Sequence, residues 1–203
     1  MRRNHRVQFS RGRKDGFSRT EFVFLFAIVL FAVSVAFPAR EFVQRWQRLV
    51  MARGDLRSIV TAIQHFHARY NVWPGQTTQR GDVHYGRTRS NSDVMNVLRA
   101  VSGPGNTDHA ANTNRIVFLD VAPASPGLSG LNNRGEFLDP WGSQYHIVLD
   151  LDYDNVCISS DTIYNRIQGE GVIAWSNGPD GKSDTEDDLL SWKWVRPRPG
   201  VLP

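Results

Sequence analysis

The longest apolar stretch of the chain runs from Phe22 to Phe37 and contains sixteen residues without a charge. A basic, polar run ends just before it at Gly16, and a single acid, Glu21, stands at its head. At about 1.5 Å per residue the stretch covers roughly 24 Å, and its flanking residues extend it toward the ~30 Å of a membrane's hydrocarbon core. The pattern predicts a membrane-inserted helix over residues 17–38.

Beyond Pro38 the apolar residues recur at steps of three and four, which indicates an amphipathic helix. They are Phe42, Val43, Trp46, Leu49, Val50, Leu56, Ile59, Val60, Ile63, Phe66 and Tyr70. Together the two stretches predict one helix from about Ser18 to Tyr70. A kink is expected at Pro38, because proline removes a backbone donor and clashes with the preceding turn. The segment NVWPG, residues 71–75, then ends the helix.

Shorter elements follow the long helix. Residues 76–90 are polar and predicted to be a loop, and Ser92 or Asn91 caps a short helix. A tight turn with the sequence DPWG, residues 139–142, introduces the strand region. Three antiparallel strands are predicted there, over residues 145–151, 156–158 and 172–175. The predicted fold class is therefore α+β, with a long N-terminal helix packed on a small antiparallel β-sheet.

Positive charge is concentrated at the N-terminus. The formal net charge is +4, from 24 Lys and Arg against 20 Asp and Glu. Residues 1–16 hold six of these cations and one acid, which leaves 18 cations and 19 acids, a net charge of −1, for residues 17–203. The basic run favours a cytoplasmic N-terminus. The rest of the chain gives no electrostatic basis for binding nucleic acid.

Cysteine and histidine offer no catalytic or zinc-binding pattern. Cys157 is the only cysteine, so no internal disulfide can form, and its apolar neighbours predict a buried side chain. The histidines are scattered, and His65 and His67 are two residues apart, so they point to different sides of a helix. The sequence predicts no catalytic residues, and the protein is not expected to be an enzyme.

Four positions near the N-terminus resemble the type IV pilin-like family, which includes the pseudopilins of type II secretion. They are Gly16, the aromatic Phe17, Glu21 as the fifth residue after the glycine, and Pro38 as the twenty-second. The DPWG turn, followed by a strand that carries Tyr145, is similar to the major pseudopilin of these systems. The resemblance covers residues 11–75 and about 137–192, whereas residues 76–136 match no pattern of the family.

The resemblance implies that residues 1–16 are a leader, which a prepilin peptidase removes before it methylates the amino group of Phe17. Residues 17–38 would be both a transmembrane helix and a polymerisation helix, in which Glu21 neutralises the Phe17 amine of the next subunit. Residues 39–203 would form a periplasmic domain with a pilin-like fold. The protein would be a single-pass protein of the bacterial inner membrane, with its N-terminus in the cytoplasm.

The implied function is that of a pseudopilin-like structural subunit, which polymerises into a short periplasmic filament that drives type II protein secretion. The implied partners are copies of the chain itself, minor pseudopilins, the inner-membrane secretion platform and the prepilin peptidase. Other interpretations stay open. The chain could be a type IV pilin for adhesion, motility or DNA uptake, or a membrane-anchored binding module or enzyme that does not assemble. The apolar stretch alone also fits a signal anchor, or a secretory signal cleaved after residues 34–36.

A second candidate for chemistry is the glycine-rich segment of residues 176–192. Five acids lie within nine residues there: Asp180, Asp184, Glu186, Asp187 and Asp188. Acids this close repel one another unless a cation lies among them. Ca²⁺ takes six to eight oxygen ligands at about 2.3–2.6 Å, which a flexible loop of Asp and Gly supplies. The alternative is a solvated acidic turn.

This segment also resembles the calcium loop of the major pseudopilin, which implies calcium as a cofactor that replaces the missing disulfide. The implied ligands are the carboxylates of Asp180, Asp184, Asp187 and Asp188 and the carbonyls around Ser176 and Asn177. A competing site consists of Asp150, Asp152 and Asp154, whose spacing resembles the opening of an EF-hand loop. That site lacks the glycine and the glutamate of the EF-hand pattern.

Overall fold

The computed structural model describes residues 18–75, 81–159, 162–164, 166–168 and 170–193, except for the side chains of residues 35–39. The chain divides into two compact units, residues 1–44 and residues 45–203. The predicted cleavage position, Gly16 and Phe17, lies outside the described residues. The kink at Pro38 also remains a prediction, since the side chains around it lie outside the description.

Helix α1, Arg19–Tyr70, is 52 residues long and belongs to both units. Its bounds lie within a residue of those predicted. In the first unit the described side chains of the helix are all exposed. In the second unit apolar residues face inward at steps of three and four, so that Leu56, Ile59, Ile63 and Phe66 are completely buried.

The predicted pilin-like fold class, with a membrane-inserted first half of the helix, is wrong. Within the described part of the chain, no helix is both long and apolar enough to cross a membrane. The transmembrane helix and the single-pass inner-membrane localisation are overturned by the same finding.

Within its described residues, the second unit contains eight short strands in three antiparallel sheets, rather than one three-stranded sheet. The strands are β1 (Val83–Tyr85), β2 (Gly130–Leu131), β3 (Phe137–Leu138), β4 (His146–Leu149), β5 (Val156–Cys157), β6 (Ile167–Gln168), β7 (Val172–Ser176) and β8 (Leu189–Leu190). The main sheet has the order β1-β4-β7-β8, while β2 pairs with β3 and β5 pairs with β6. Helix α2, Ser92–Leu98, and a 3₁₀ helix, Thr107–His109, complete the elements.

Two strand assignments differ from the prediction because pairing, not local pattern, decides them. β5 lies in the predicted strand 156–158 but pairs with β6 instead of joining the main sheet. β1 forms inside the polar segment predicted to be a loop, and it pairs with β4 in the register His84 to Val148. Three residues are too few to give a recognisable alternation.

The main sheet has apolar side chains buried on both faces, since successive residues of a strand point to opposite sides. One face packs against α1 through Tyr85, Tyr145, Ile147, Leu149, Val172 and Ala174. The other face, here called the far face, packs Val148, Ile173 and Trp175 against Cys157, Tyr164 and Trp192. Cys157 is fully buried, as the sequence predicted. The sheet thus separates α1 from a second layer, which includes Cys157, Tyr164, Ile167, Leu190 and Trp192.

Polar contacts fix α1 to the rest of the second unit. Tyr145 donates its hydroxyl to Asp55 Oδ2 at 2.8 Å, and Tyr70 donates to Asn112 Oδ1 at 2.8 Å. Asn112 is completely buried, and its amide nitrogen donates to the carbonyls of Val97 and Ile116. These bonds give the segment between the helix and the sheet a defined position.

Candidate functional site

The first candidate site is the start of α1, where Ser18 and Glu21 bond to each other. The backbone N–H of Ser18 donates to Glu21 Oε2 at 2.8 Å, and the backbone N–H of Glu21 faces Ser18 Oγ at 3.4 Å. This reciprocal arrangement is a capping box, which satisfies backbone donors at a helix N-terminus. The sequence S-x-x-E carried this signal, although the sequence analysis gave Glu21 only a role in assembly. That role remains a prediction, and the capping box is a second function of the same carboxylate.

Directly after Glu21, the helix presents apolar side chains to solvent. Phe22, Phe24 and Phe31 are 67%, 71% and 72% exposed. Consecutive helical residues are turned by about 100° from one another, and residues 22–26 are all apolar. The helix is therefore apolar on every side over this stretch, which is typical of a helix that is surrounded by other protein.

The second candidate site is the predicted calcium loop, in which the acids accept hydrogen bonds from the loop itself. Asp188 Oδ2 accepts from the Tyr164 hydroxyl at 2.7 Å and from the backbone N–H of Asp184 at 2.8 Å. Asp187 accepts from the Thr185 hydroxyl at 2.7 Å, which lowers the pKa of Asp187. Burial raises the pKa of Asp188.

The other predicted ligands also have partners inside the protein. Asp180 Oδ1 accepts from the backbone N–H of Lys182 at 2.8 Å. The hydroxyl of Ser176 donates to Asp139 Oδ2 at 2.6 Å, and Asn177 Oδ1 accepts from Ser183 at 3.0 Å. These six residues form no described group of three acids with converging oxygens.

The acids that do converge are Asp82, Asp150 and Asp152, each with one oxygen within 4.8 Å of the others. We call these three residues the Asp82 cluster. It contains two of the three acids of the competing site, and Asp82 takes the place of the predicted Asp154. Asp154 Oδ1 instead accepts from the backbone N–H of Val156 at 2.8 Å and so shapes the turn. The register between β1 and β4 brings Asp82 to this position, and no local pattern of residues indicates it.

Backbone donors hold the Asp82 cluster in place. Asp82 accepts from the N–H groups of Leu151 at 3.1 Å and Ile158 at 2.6 Å, while Asp150 accepts from those of Asp154 and Asn155. Burial, followed by the negative charges of Asp152 and Asp150, raises the pKa of Asp82 to about 6. A cation or a proton relieves this repulsion. Ca²⁺ at this position would need further oxygens from backbone or water, because three carboxylates do not fill its shell.

A buried pair of histidines was also missed by the sequence analysis, which treated the histidines as scattered. His84 on β1 and His146 on β4 lie on the far face, with His84 Nε2 3.0 Å from His146 Nδ1. His146 stacks on Trp175 with ring centroids 4.9 Å apart. Burial lowers the pKa of His84 to about 4 and that of His146 to about 3. Both rings are therefore neutral near pH 7, and the pair is a structural contact that packs on Trp175 on the far face of the sheet.

The candidate sites therefore stand on their geometry alone: no protein-family model, curated protein or solved structure was found to match the chain.

Proposed function

We propose that the chain is a structural subunit which assembles with copies of itself through the exposed apolar part of α1. The observation that carries the proposal is the exposure of a helix that is apolar on all sides over residues 22–26. Exposed apolar surface of this extent marks an interaction site, because soluble proteins rarely leave such a surface in contact with water.

The arrangement favours a polymer over a dimer. A helix with one apolar stripe is covered by a single partner. A helix that is apolar at five successive positions, Phe22 to Phe26, needs neighbours on several sides. A filament with the helices of many copies packed in its core supplies them. The resemblance to the pseudopilins supports the same interpretation, and it alone supplies protein secretion as the filament's work.

Glu21 has a defined part in this proposal. Its carboxylate lies at the beginning of the apolar surface and would be buried when copies pack together. A buried carboxylate keeps its charge only beside an opposite charge. The amine that cleavage before Phe17 would release is such a charge, and Ser18, whose N–H now contacts Glu21, is the next residue in the chain.

The proposal is tested by placing one charge in the apolar surface and the same charge elsewhere. Val29 on α1 is 55% exposed and Val117 in the second unit is 60% exposed, so they form a matched pair. We expect Val29→Asp to abolish assembly of the full-length chain, measured by sedimentation velocity and electron microscopy, and Val117→Asp to leave it intact. A wild-type chain that remains monomeric at all concentrations would overturn the proposal, as would equal assembly of both variants.

A further inference from the structure

Two exposed surfaces of the second unit lie on opposite sides of its main sheet. The first is the outer face of α1 within residues 45–70, and the second is the outside of the layer that covers the far face of the sheet. Because α1 and this layer pack on opposite faces, a single molecule cannot bring the two surfaces together. Any contact between them must join two molecules.

The outer face of α1 is basic and carries exposed apolar side chains. Trp46 and Val50, one helical turn apart, are 53% and 46% exposed. Its exposed arginines include Arg53 and Arg69. Asp55, the only acid of residues 45–70, is turned toward the sheet, where it accepts from Tyr145. Within residues 45–70 this face therefore carries cations and no acid.

The opposite surface is apolar and acidic. Ile158 and Ile163 are 43% and 69% exposed. The backbone N–H of Ile163 donates to Asp184 Oδ1 at 3.0 Å, which places the acidic loop of residues 180–188 beside Ile163. Tyr164, on the far face of the sheet, holds the same loop through Asp188. The loop carries five acids and one cation, Lys182.

We propose that the outer face of α1 in one molecule docks on the Ile158–Ile163 surface and acidic loop of a second copy. The proposal rests on the proposed function and adds a contact between globular units to the packing of the apolar helices. Trp46 and Val50 meet Ile158 and Ile163, and the arginines meet the acids. Charge complementarity of this kind fixes the register of an interface and excludes other partners.

The contact is heterologous, because it joins two different surfaces on opposite sides of the sheet. Heterologous contacts build rings if the rotation closes and open helical filaments if it does not. A second copy docked in this way leaves one of each surface free at the two ends of the assembly. Unless the rotation closes a ring, growth continues, which a two-fold dimer interface would not allow.

A charge swap tests the contact in the full-length chain. The side chains of Arg53 and Glu186 are both exposed. We expect Arg53→Glu or Glu186→Lys to weaken self-association by at least about tenfold, because like charges are brought together. The double variant, which restores opposite charges, is expected to recover most of that loss. Association should also weaken between about 50 mM and about 500 mM salt.

Matched controls separate the contact from a general effect of charge. Arg115→Glu and Asp120→Lys make the same changes at exposed positions outside both surfaces, and we expect them to leave association unchanged. Thermal unfolding of every variant verifies the fold. If the chain assembles but the Arg53 and Glu186 variants behave like these controls, the contact is refuted while the proposed function stands. If the wild-type chain does not assemble, or forms only closed dimers, both proposals are refuted.

Discussion

His84 and His146 share one hydrogen bond between ring nitrogens 3.0 Å apart, and neither ring is exposed by more than 6%. One proton between the two nitrogens satisfies both, whereas protonation of both rings places two N–H groups against each other. Ser159 lies 3.3 Å from the other nitrogen of His84, and Trp175 covers His146. Arg87 is the nearby cation and further opposes protonation. The pair is therefore built to remain neutral.

This pair makes stability fall on acidification. Because the folded-state pKa values lie below the usual 6.5, the contribution is complete above pH 6.5 and is lost as pH falls to about 4 for His84 and to about 3 for His146. Each imidazole costs up to about 1.4 kcal/mol per pH unit in that window. We expect His146→Phe, which keeps an aromatic ring on Trp175, to reduce the pH dependence of the unfolding free energy by roughly half. Equal dependence in the variant would contradict this account, and His65→Gln on the exposed face of α1 is the control.

The Asp82 cluster acts in the opposite direction. The folded-state pKa of Asp82 is raised from 3.8 to about 6, so its contribution is present below pH 3.8 and is lost as pH rises through about 6. Asp152→Asn removes one of the repelling charges. In a chelating buffer at pH 7 we expect this variant to unfold about 2–4 °C above wild type, which corresponds to roughly 1 kcal/mol. An unchanged midpoint would mean that the three carboxylates do not repel one another.

Calcium binding is tested at two positions with the same measurement. We expect added calcium to raise the unfolding midpoint of the full-length chain and a chelator to reverse the rise, since a ligand that binds only the folded state stabilises it. Asp152→Asn removes a ligand from the Asp82 cluster, and Asp187→Asn removes one from the C-terminal loop. The converging geometry of the Asp82 cluster predicts that Asp152→Asn abolishes the shift. If only Asp187→Asn abolishes the shift, calcium binds at the C-terminal loop, as the resemblance implied. If calcium does not raise the unfolding midpoint of the wild-type chain, the protein does not bind calcium.

Two substitutions separate the capping bond of Glu21 to Ser18 from its proposed pairing with an amine of the next subunit. Glu21→Gln keeps a side chain able to accept the Ser18 N–H bond but loses the charge, while Glu21→Ala loses both. If Glu21 pairs with an amine of the neighbouring subunit, we expect both variants to lose assembly. If it serves only as a helix cap, Glu21→Gln should assemble normally and Glu21→Ala should destabilise the helix start by roughly 1 kcal/mol. Circular dichroism and sedimentation measure the two effects independently.

Processing of the N-terminus is a separate prediction. The resemblance predicts a mature chain that begins with a methylated Phe17, and mass spectrometry of protein recovered from its native cells tests this directly. Gly16→Leu should block the cleavage and leave the full-length mass. Protein that retains its leader in the wild type contradicts the role of Glu21 as partner of a free amine, although it leaves the packing of apolar helices intact.

Local patterns predicted the elements whose signal lies within a few turns of chain. The end of α1 at Tyr70, the start of α2 at Ser92 and the DPWG turn are of this kind, because periodicity, capping and turn chemistry are properties of neighbouring residues. The predicted crossing of a membrane by α1 failed. It was inferred from the absence of charge between Phe22 and Phe37, and the described helix does not have the combination of length and apolar character that a span requires.

Contacts between distant segments were the part that sequence could not supply. Asp82 meets Asp150 across 68 positions, and His84 meets His146 across 62. Both contacts depend on β1, whose three residues lie in a polar segment and pair with β4. A shift of one residue in this register would turn His84 to the other side of the sheet. The positions of the Asp82 cluster and of the histidine pair are thus set by strand pairing, which no pattern of neighbouring residues in the sequence indicates.

The burial of Cys157 makes the chain convenient for spectroscopy. Its thiol donates to the carbonyl of Glu170 at 3.1 Å, and burial raises its pKa to about 12, so the reactive thiolate is scarce at neutral pH. A maleimide dye would not react with this sulfur and would label only a cysteine introduced at a chosen exposed position. Distances between such labels on different copies can then be measured by energy transfer without first replacing the native residue.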